Sequence, residues 1–392
     1  MGRGIFGRVA GHSNQPGGNG MARKSALELS AMTQGKLLGM QRIANANGTF
    51  TMLALDQNNS VIQMAKVSLA RAGETREPSY DEVVAAKLDL THGLGKKASA
   101  VLLDPVYGVW QAVCAFKFPH HAGLIVRLER SGADYTLDSS GRLTVVEPGW
   151  SVAKIKRMGA DAVKLLVYYE PTHAESAERQ RDLVERVARD CDQHDIVFLL
   201  EALSYPFAGE EKTSPSYLER KPTTVIDTAR HLSGLADVYN AEFPGTLDHD
   251  SDEQLAANLD ALDQACARPW VLLSAGADFA DYERQARMAV DHGVSGVLGG
   301  RAFWKEYFDL HDPKARTAFA RTEAAGRLAA IDKLVKHSAL PWFKKYRLTK
   351  GRFARVKIPE GWHRSFAGAA PEQPNPSEPP EPGGQTDTRG DY

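Results

Sequence analysis

The sequence predicts a (β/α)8 barrel flanked by two tails, and three observations carry that reading. Eight short apolar runs rich in Val, Leu, Ile and aromatic residues follow one another between positions 50 and 300, as strands covered on both faces require. Amphipathic stretches lie between most of them. Polar residues interrupt or close the runs toward their C-terminal ends, where barrels of this kind carry their chemistry. Eight strands alternating with helices over about 300 residues is the arithmetic of that fold. A doubly wound open sheet is the competing arrangement, but no G-x-G-x-x-G follows an early run, which weakens its dinucleotide-binding form.

In chain order the runs are FTMLALD (50–56), SAVLLDP (99–105), AGLIVRL (122–128), DAVKLLVYY (161–169), IVFLLEAL (196–203), DVYNAEF (237–243), WVLLSAG (270–276) and SGVLGG (295–300). Arg142 to Trp150 reads as a longer excursion before the helix SVAKIKRMG (151–159). The stretch 174–194 puts Leu183, Val187 and Cys191 on one helical stripe. Residues 252–266 and 281–293 repeat the pattern, the latter ending at Gly293 as a helix C-cap does.

The chain has 392 residues, 43% hydrophobic and 25% charged, a balance that supports a folded core. A formal net charge of −1 argues against a chain-wide nucleic-acid surface. No run of about 18 apolar residues is present, which argues against a membrane span. Cys114, Cys191 and Cys266 are far apart and odd in number. They suit neither a disulfide framework nor a zinc site, and the natural setting is a reducing, cytoplasmic one.

Residues 1–30 read as a flexible N-terminal arm, Gly-rich, lacking the apolar stretch of a secretory signal, and with Met21 as an alternative start. Residues 31–346 hold the barrel, 347–366 a basic extension, and 367–392 a disordered tail carrying Pro371, Pro374, Pro376, Pro379, Pro380 and Pro382. The run KKYRLTKGRFARVK (344–357) has seven Lys or Arg in fourteen residues. It suits a nucleic-acid or anionic-membrane patch, or a solvated extension, or one docked on an acidic surface of its own protein. The bland readings weigh more, because charge runs are weak motifs.

The ends of the runs carry Asp56-Gln57-Asn58-Asn59, Asp104, Glu201, Asn240 with Glu242, Ser274-Ala275-Gly276 and Gly299-Gly300-Arg301, while Lys164 stands inside an apolar run. Period-two alternation puts Lys164, Leu166 and Tyr168 on one face, Val197, Leu199 and Glu201 on another, and Val238, Asn240 and Glu242 on a third. Lys164 and Glu201 therefore come from neighbouring strands and can meet. Burial lowers a lysine's pKa and supplies a free amine able to attack a carbonyl; a carboxylate beside it pushes that pKa the other way, yet can move the protons of carbinolamine formation. An inert buried ion pair is an equally good reading of this pattern alone. The last two strand ends suit a phosphate cradle, since glycines admit close backbone N–H groups and arginine adds a two-pronged donor. Tight turns are the plainer use of those glycines. His120 and His121 read as surface residues, since no partner at metal spacing accompanies them. His173 follows the fourth run near the mouth, a place from which a side chain can touch substrate. Glu242 is expected to orient neighbouring side chains below the site.

Seven blocks, LALDQ (53–57), LLDPVYG (102–108), GADAVKLLVYY (159–169), FLLE (198–201), DVYNAEFP (237–244), LSAG (273–276) and GVLGGRAFW (296–304), resemble the tagatose-1,6-bisphosphate aldolases. They are similar also to the related aldolase that cleaves 6-deoxy-6-sulfofructose 1-phosphate. The resemblance runs in order from about residue 35 to 346. It implies a class I aldolase on a (β/α)8 barrel that needs no metal or other cofactor. Such enzymes bind a phosphorylated ketose, form a Schiff base with lysine and break the C3–C4 bond to release two three-carbon fragments, dihydroxyacetone phosphate or a similar fragment among them. By that resemblance Asp56 and Gln57 line the sugar site, Lys164 is an active-site lysine, Glu201 is the acid/base carboxylate, and Ser274, Gly276, Gly300 and Arg301 bind phosphate.

Two positions depart from the family pattern. Asn58 stands where the family has arginine, which hints at an altered second anion site. Asn240 stands where the family has its Schiff-base lysine. An amide nitrogen is delocalised into its carbonyl and cannot form an imine. Three functions follow. In the first, the protein is an aldolase-like lyase with Lys164 as the nucleophile and Asn240 bonding a substrate oxygen. In the second, Glu201 enolises the substrate without a covalent bond, as an isomerase, an epimerase or a non-covalent aldolase does, and Lys164 stays charged. In the third, the chain binds a phosphosugar without turnover. The expected partner is a small sugar phosphate, and a homo-oligomer is compatible with this fold.

Overall fold

The computed structural model describes residues 32–346. The arm read over 1–30, most of the basic run and the proline-rich tail lie outside the described residues. Eight parallel strands close into a barrel: β1 (Phe50–Ala54), β2 (Ala100–Leu103), β3 (Gly123–Arg127), β4 (Ala162–Tyr168), β5 (Val197–Leu203), β6 (Val238–Ala241), β7 (Trp270–Leu273) and β8 (Gly296–Gly299). Each expected run supplies one strand, and each strand pairs with its sequence neighbours around the ring.

The ring closes where β8 meets β1, with Phe50 opposite Gly296. Gly296 has φ +148°, and a Cβ there would fall 2.0 Å from the Phe50 carbonyl oxygen. Only a residue without a side chain lets the two backbones approach so closely.

Helices surround the ring. The one at Ala174–Gln193 buries the stripe of Leu183, Val187 and Cys191. Ser79 and Ser251 begin the helices Tyr80–Leu94 and Asp252–Ala265 with reciprocal capping boxes to Glu82 and Gln254. The helix expected to reach Gly293 runs over Phe279–Val290, so Gly293, at φ +84°, lies three residues past its last turn. The excursion after β3 contains a small antiparallel pair, Asp134–Tyr135 with Arg142–Leu143.

Alternation along the strands divides the barrel interior into two zones. The lower zone is apolar, built by residues such as Phe50, Met52, Leu102, Ile125, Leu199, Val238, Val271 and Leu298. Met40 and Ile43 from the helix Gln34–Ile43, with Trp342 and Tyr346 from the last described turns, join that cluster and close the N-terminal end. Tyr346 and Lys345 belong to the start of the basic run. Tyr346 is buried, and Lys345 reaches Asp263 at 2.6 Å. This much of the run docks on its own protein. The upper zone, one strand repeat higher, is charged.

Candidate active site

Lys164 lies at the centre of the upper zone, 2% exposed. Its Nζ donates to Asp56 Oδ2 at 2.9 Å and to Glu129 Oε1 at 2.7 Å, and stands 3.7 Å from Glu201 Oε2. Register explains the meeting. Lys164 pairs with Arg127 across β3–β4, and Glu201 pairs with Leu166 and Asn240 on either side. Burial would lower the lysine's pKa, but the charges of Asp56, Glu129 and Glu201 outweigh it and hold the amine above its ordinary range. Here the structure differs from the free amine expected from burial. Three carboxylates, not one, face this nitrogen, so it rests as an ammonium.

The same cluster separates the carboxyls. Burial would raise Asp56, yet the Lys164 and Arg127 charges bring it below the usual carboxylate range. Glu201 goes the other way. Burial pushes it up to about 7, Asp56 and Glu129 add to the rise, and Lys164 and the Asn240 amide only partly oppose it. Carboxyls with such divergent environments suit different protonation states at one pH.

Asn240 is fully buried under Glu201 and donates from Nδ2 to Glu201 Oε2 at 2.8 Å. Its Oδ1 has no hydrogen-bond partner among the described residues. Asn240 is not on the cavity wall. The 270 Å³ cavity above it is lined by Asp56, Gln57, Lys164, Glu201, Ser274, Gly300 and Arg301, among others. Ser274 Oγ accepts the Gly300 N–H at 3.2 Å and so ties the β7 and β8 turns together. Ala275 and Gly276 are both left-handed, at φ +47° and +84°. Gly276 also stands off the cavity wall. A Cβ on it would sit 3.0 Å from Cζ of Arg301, so its bare backbone leaves room for that guanidinium.

Several other sequence-level candidates have structural partners. Asn58 accepts from Lys87 Nζ at 2.6 Å and donates to Asp104 at 3.2 Å, and Lys87 also pairs directly with Asp104. His173 caps the helix Ala174–Gln193, accepting the Ser176 N–H at 3.2 Å on Nδ1, while Nε2 lies 2.7 Å from Ser140 Oγ. It is absent from the cavity wall. Glu242 accepts the Ser204 backbone N–H at 2.6 Å, beyond the end of β6. It therefore holds a main-chain turn rather than side chains lower in the barrel. His120 and His121 are exposed. Among the described residues no group of three or more His, Cys, Asp or Glu is arranged to hold a metal ion, and no helix is long and apolar enough to cross a membrane.

Arg127 and Glu129, at the end of β3, were missing from the sequence-level site. The signal lay in the alternation, since Arg127 shares the inward face of Ile125 and Glu129 is two residues further along.

A closed parallel barrel that gathers one lysine and several carboxylates beneath glycine-rich turns at its C-terminal mouth has the architecture of a barrel aldolase. The pattern described as DeoC/LacD family aldolase matches residues 50–306, and this chain belongs to that family. The tagatose 1,6-diphosphate aldolase of Listeria monocytogenes serotype 4b is 31% identical over 350 residues, covering 84% of this chain and 98% of its own length. Tagatose 1,6-diphosphate aldolase 1 of Streptococcus mutans is 31% identical over 334 residues, covering 79% of this chain and 98% of its own. Among solved structures, the fructose-bisphosphate aldolase of Slackia heliotrinireducens aligns with TM-score 0.55 at 14% identity, over 81% of this chain and 94% of that one. An archaeal fructose 1,6-bisphosphate aldolase aligns with TM-score 0.50 at 16% identity, over 77% and 99%. Both likenesses are to the barrel fold.

Proposed function

We propose that this aldolase cleaves a phosphorylated ketose into two fragments, using Glu201 to move the proton and Lys164, as an ammonium, to hold the developing negative charge. The supporting observation is the juxtaposition of a charged Lys164 with Glu201, 3.7 Å apart, the latter's pKa pushed up to about 7. In the cleavage direction the Glu201 carboxylate takes the proton of the C4 hydroxyl. The C3–C4 bond breaks, and its electron pair passes to the keto oxygen as an enolate beside Lys164. The protonated Glu201 then returns its proton to C3, which restores the site and frees a three-carbon ketone phosphate. Ser274, Gly300 and Arg301 hold the phosphate, with Gly276 leaving room for the guanidinium; Asp56 and Gln57 orient the sugar, and Asn240, behind the wall, orients Glu201.

An imine route has one observation in its favour: Lys164 is the one lysine among the residues lining the cavity. For that route it must first pass a proton to Asp56, Glu129 or Glu201. Borohydride reduction in the presence of ketose phosphates separates the two. The non-covalent reading expects cleavage by the wild type, loss of cleavage in Glu201→Gln, and no mass adduct. An adduct on Lys164 that is absent from Lys164→Ala overturns it in favour of the imine. Stabilisation by ketose phosphates without any turnover would mark a binding protein instead.

A further inference from the structure

Three carboxylates face the Lys164 amine, and Glu129 is the one to which the proposed reaction gives no task. It is 4% exposed on the cavity wall. Oε1 accepts from Lys164 Nζ at 2.7 Å, the shortest of that nitrogen's three carboxylate contacts. Oε2 accepts the Leu166 N–H at 3.0 Å. The seat forms where β3 leaves the barrel ladder. Leu128 donates its N–H to the Lys164 carbonyl oxygen, but its own carbonyl oxygen turns to the Glu147 N–H. The Glu129 carboxylate takes up the Leu166 N–H one step further along β4. Glu129 is itself bridged to Val146, and the Arg130 N–H donates to the Val145 carbonyl oxygen, so the excursion after β3 fixes this backbone from its other side.

This seating decides what the amine can do. A lysine that holds all three N–H donors has no lone pair to offer a carbonyl carbon. Here two are donated, to Glu129 and Asp56, and Glu201 stands 3.7 Å away. Asp56 and Glu201 also meet the sugar in the proposed reaction, whereas Glu129 is anchored to the main chain of β4. We propose that Glu129 is a positioning residue that withholds the Lys164 amine from imine formation, by clasping Nζ from a main-chain seat. Its loss opens to Lys164 the covalent route that the intact chain closes. This rests on the ammonium role given to Lys164 above and names the residue that enforces it.

The test is reductive methylation of the full chain with formaldehyde and cyanoborohydride, read at each lysine by mass spectrometry. A free amine adds to the formaldehyde carbon, water leaves, and hydride from cyanoborohydride reduces the imine to a methylamine. In the wild type Lys164 is expected to react at least about 100-fold more slowly than the exposed Lys96. Glu129→Gln keeps the shape and an oxygen for the Leu166 N–H but removes the charge. It is expected to speed Lys164 about 10–100-fold and leave Lys96 unchanged. Glu129→Asp keeps the charge and should stay within about threefold of the wild type. Circular dichroism reports folding. If Glu129→Gln does not fold, Glu129→Ala is compared with and without formate, which is expected to fill the gap and slow the reaction again. A wild-type Lys164 as reactive as Lys96 overturns the proposal, as does an unchanged rate in Glu129→Gln. Equal gains in Glu129→Gln and Glu129→Asp overturn it too, since access rather than charge would then govern, and so does a folded Glu129→Ala indifferent to formate. Formaldehyde stands in for any ketose, so the result is independent of turnover. A chain in which Glu129→Gln frees the amine yet no ketose phosphate is cleaved keeps the clasp and loses the proposed reaction.

Discussion

Around Lys164, three carboxylates compete for one proton balance, and Glu201 is the member left to titrate near neutrality. Its share of stability has a definite sign. The folded state raises this carboxyl from about 4.5 to about 7, so it binds the proton more tightly than the unfolded chain does. That stabilisation is full below about 4.5 and is lost as pH rises through about 7. Urea titrations at several pH values should show the wild type losing stability relative to Glu201→Gln across that window. A constant difference between the two would contradict the assignment. Cleavage rates should carry the same group: kcat/KM should rise through a limb near pH 7, and Glu201→Gln should erase that limb with a loss of about 10²–10⁴-fold. Lys164, Glu201 and Asp56 were legible because a charge inside or at the end of an apolar run must face the axis or be expelled. The raised pKa of Lys164 was harder to read, since it depends on three carboxylates together, and Glu129, which continues the β3 alternation two residues past the end of the strand, is brought to the amine by the chain after β3.

At the scale of single elements, the end of β2 is pinned by charge rather than by packing. Asp104 is fully buried, paired with Lys87, and accepts the Val106 and Tyr107 N–H groups at 2.9 and 2.8 Å. Asp104→Ala strands the Lys87 ammonium and is expected to cost about 3–5 kcal/mol in urea unfolding. Adding Lys87→Met should recover most of that loss, because the stranded charge then goes too. The β8–β1 seam is tighter still. Gly296→Ala must push a methyl into the Phe50 carbonyl, and we expect a loss above about 3 kcal/mol or failure to accumulate as folded protein. All eight strands were readable as apolar runs. The pair Asp134–Tyr135 and Arg142–Leu143 was not, because two residues are too few to show alternation. Pro222 sits inside the helix Pro215–Leu232, where it removes one backbone donor from the helix ladder.

For the molecule as a whole, the two-zone interior separates what holds the barrel shut from what meets ligand. Trp342 belongs to the lower zone and touches none of the cavity. Trp342→Ala should therefore cost about 3–5 kcal/mol by denaturation while leaving the KM for a cleaved ketose phosphate within about twofold. A change in KM as large as that from a mouth residue would mean the zones are coupled. Alternation within the strands made the split visible in outline. The plug itself was harder to foresee, because it joins residues some 300 positions apart, and no local period links Met40 to Trp342.

The first described residues and the last both pack against that sealed floor, Met32 beside the lower cluster and Tyr346 within it. A chain continuing from Met32 or from Tyr346 thus sets out from the face turned away from the cavity mouth. A tether fixed at residue 32 or 346 would leave the opening pointed toward solution.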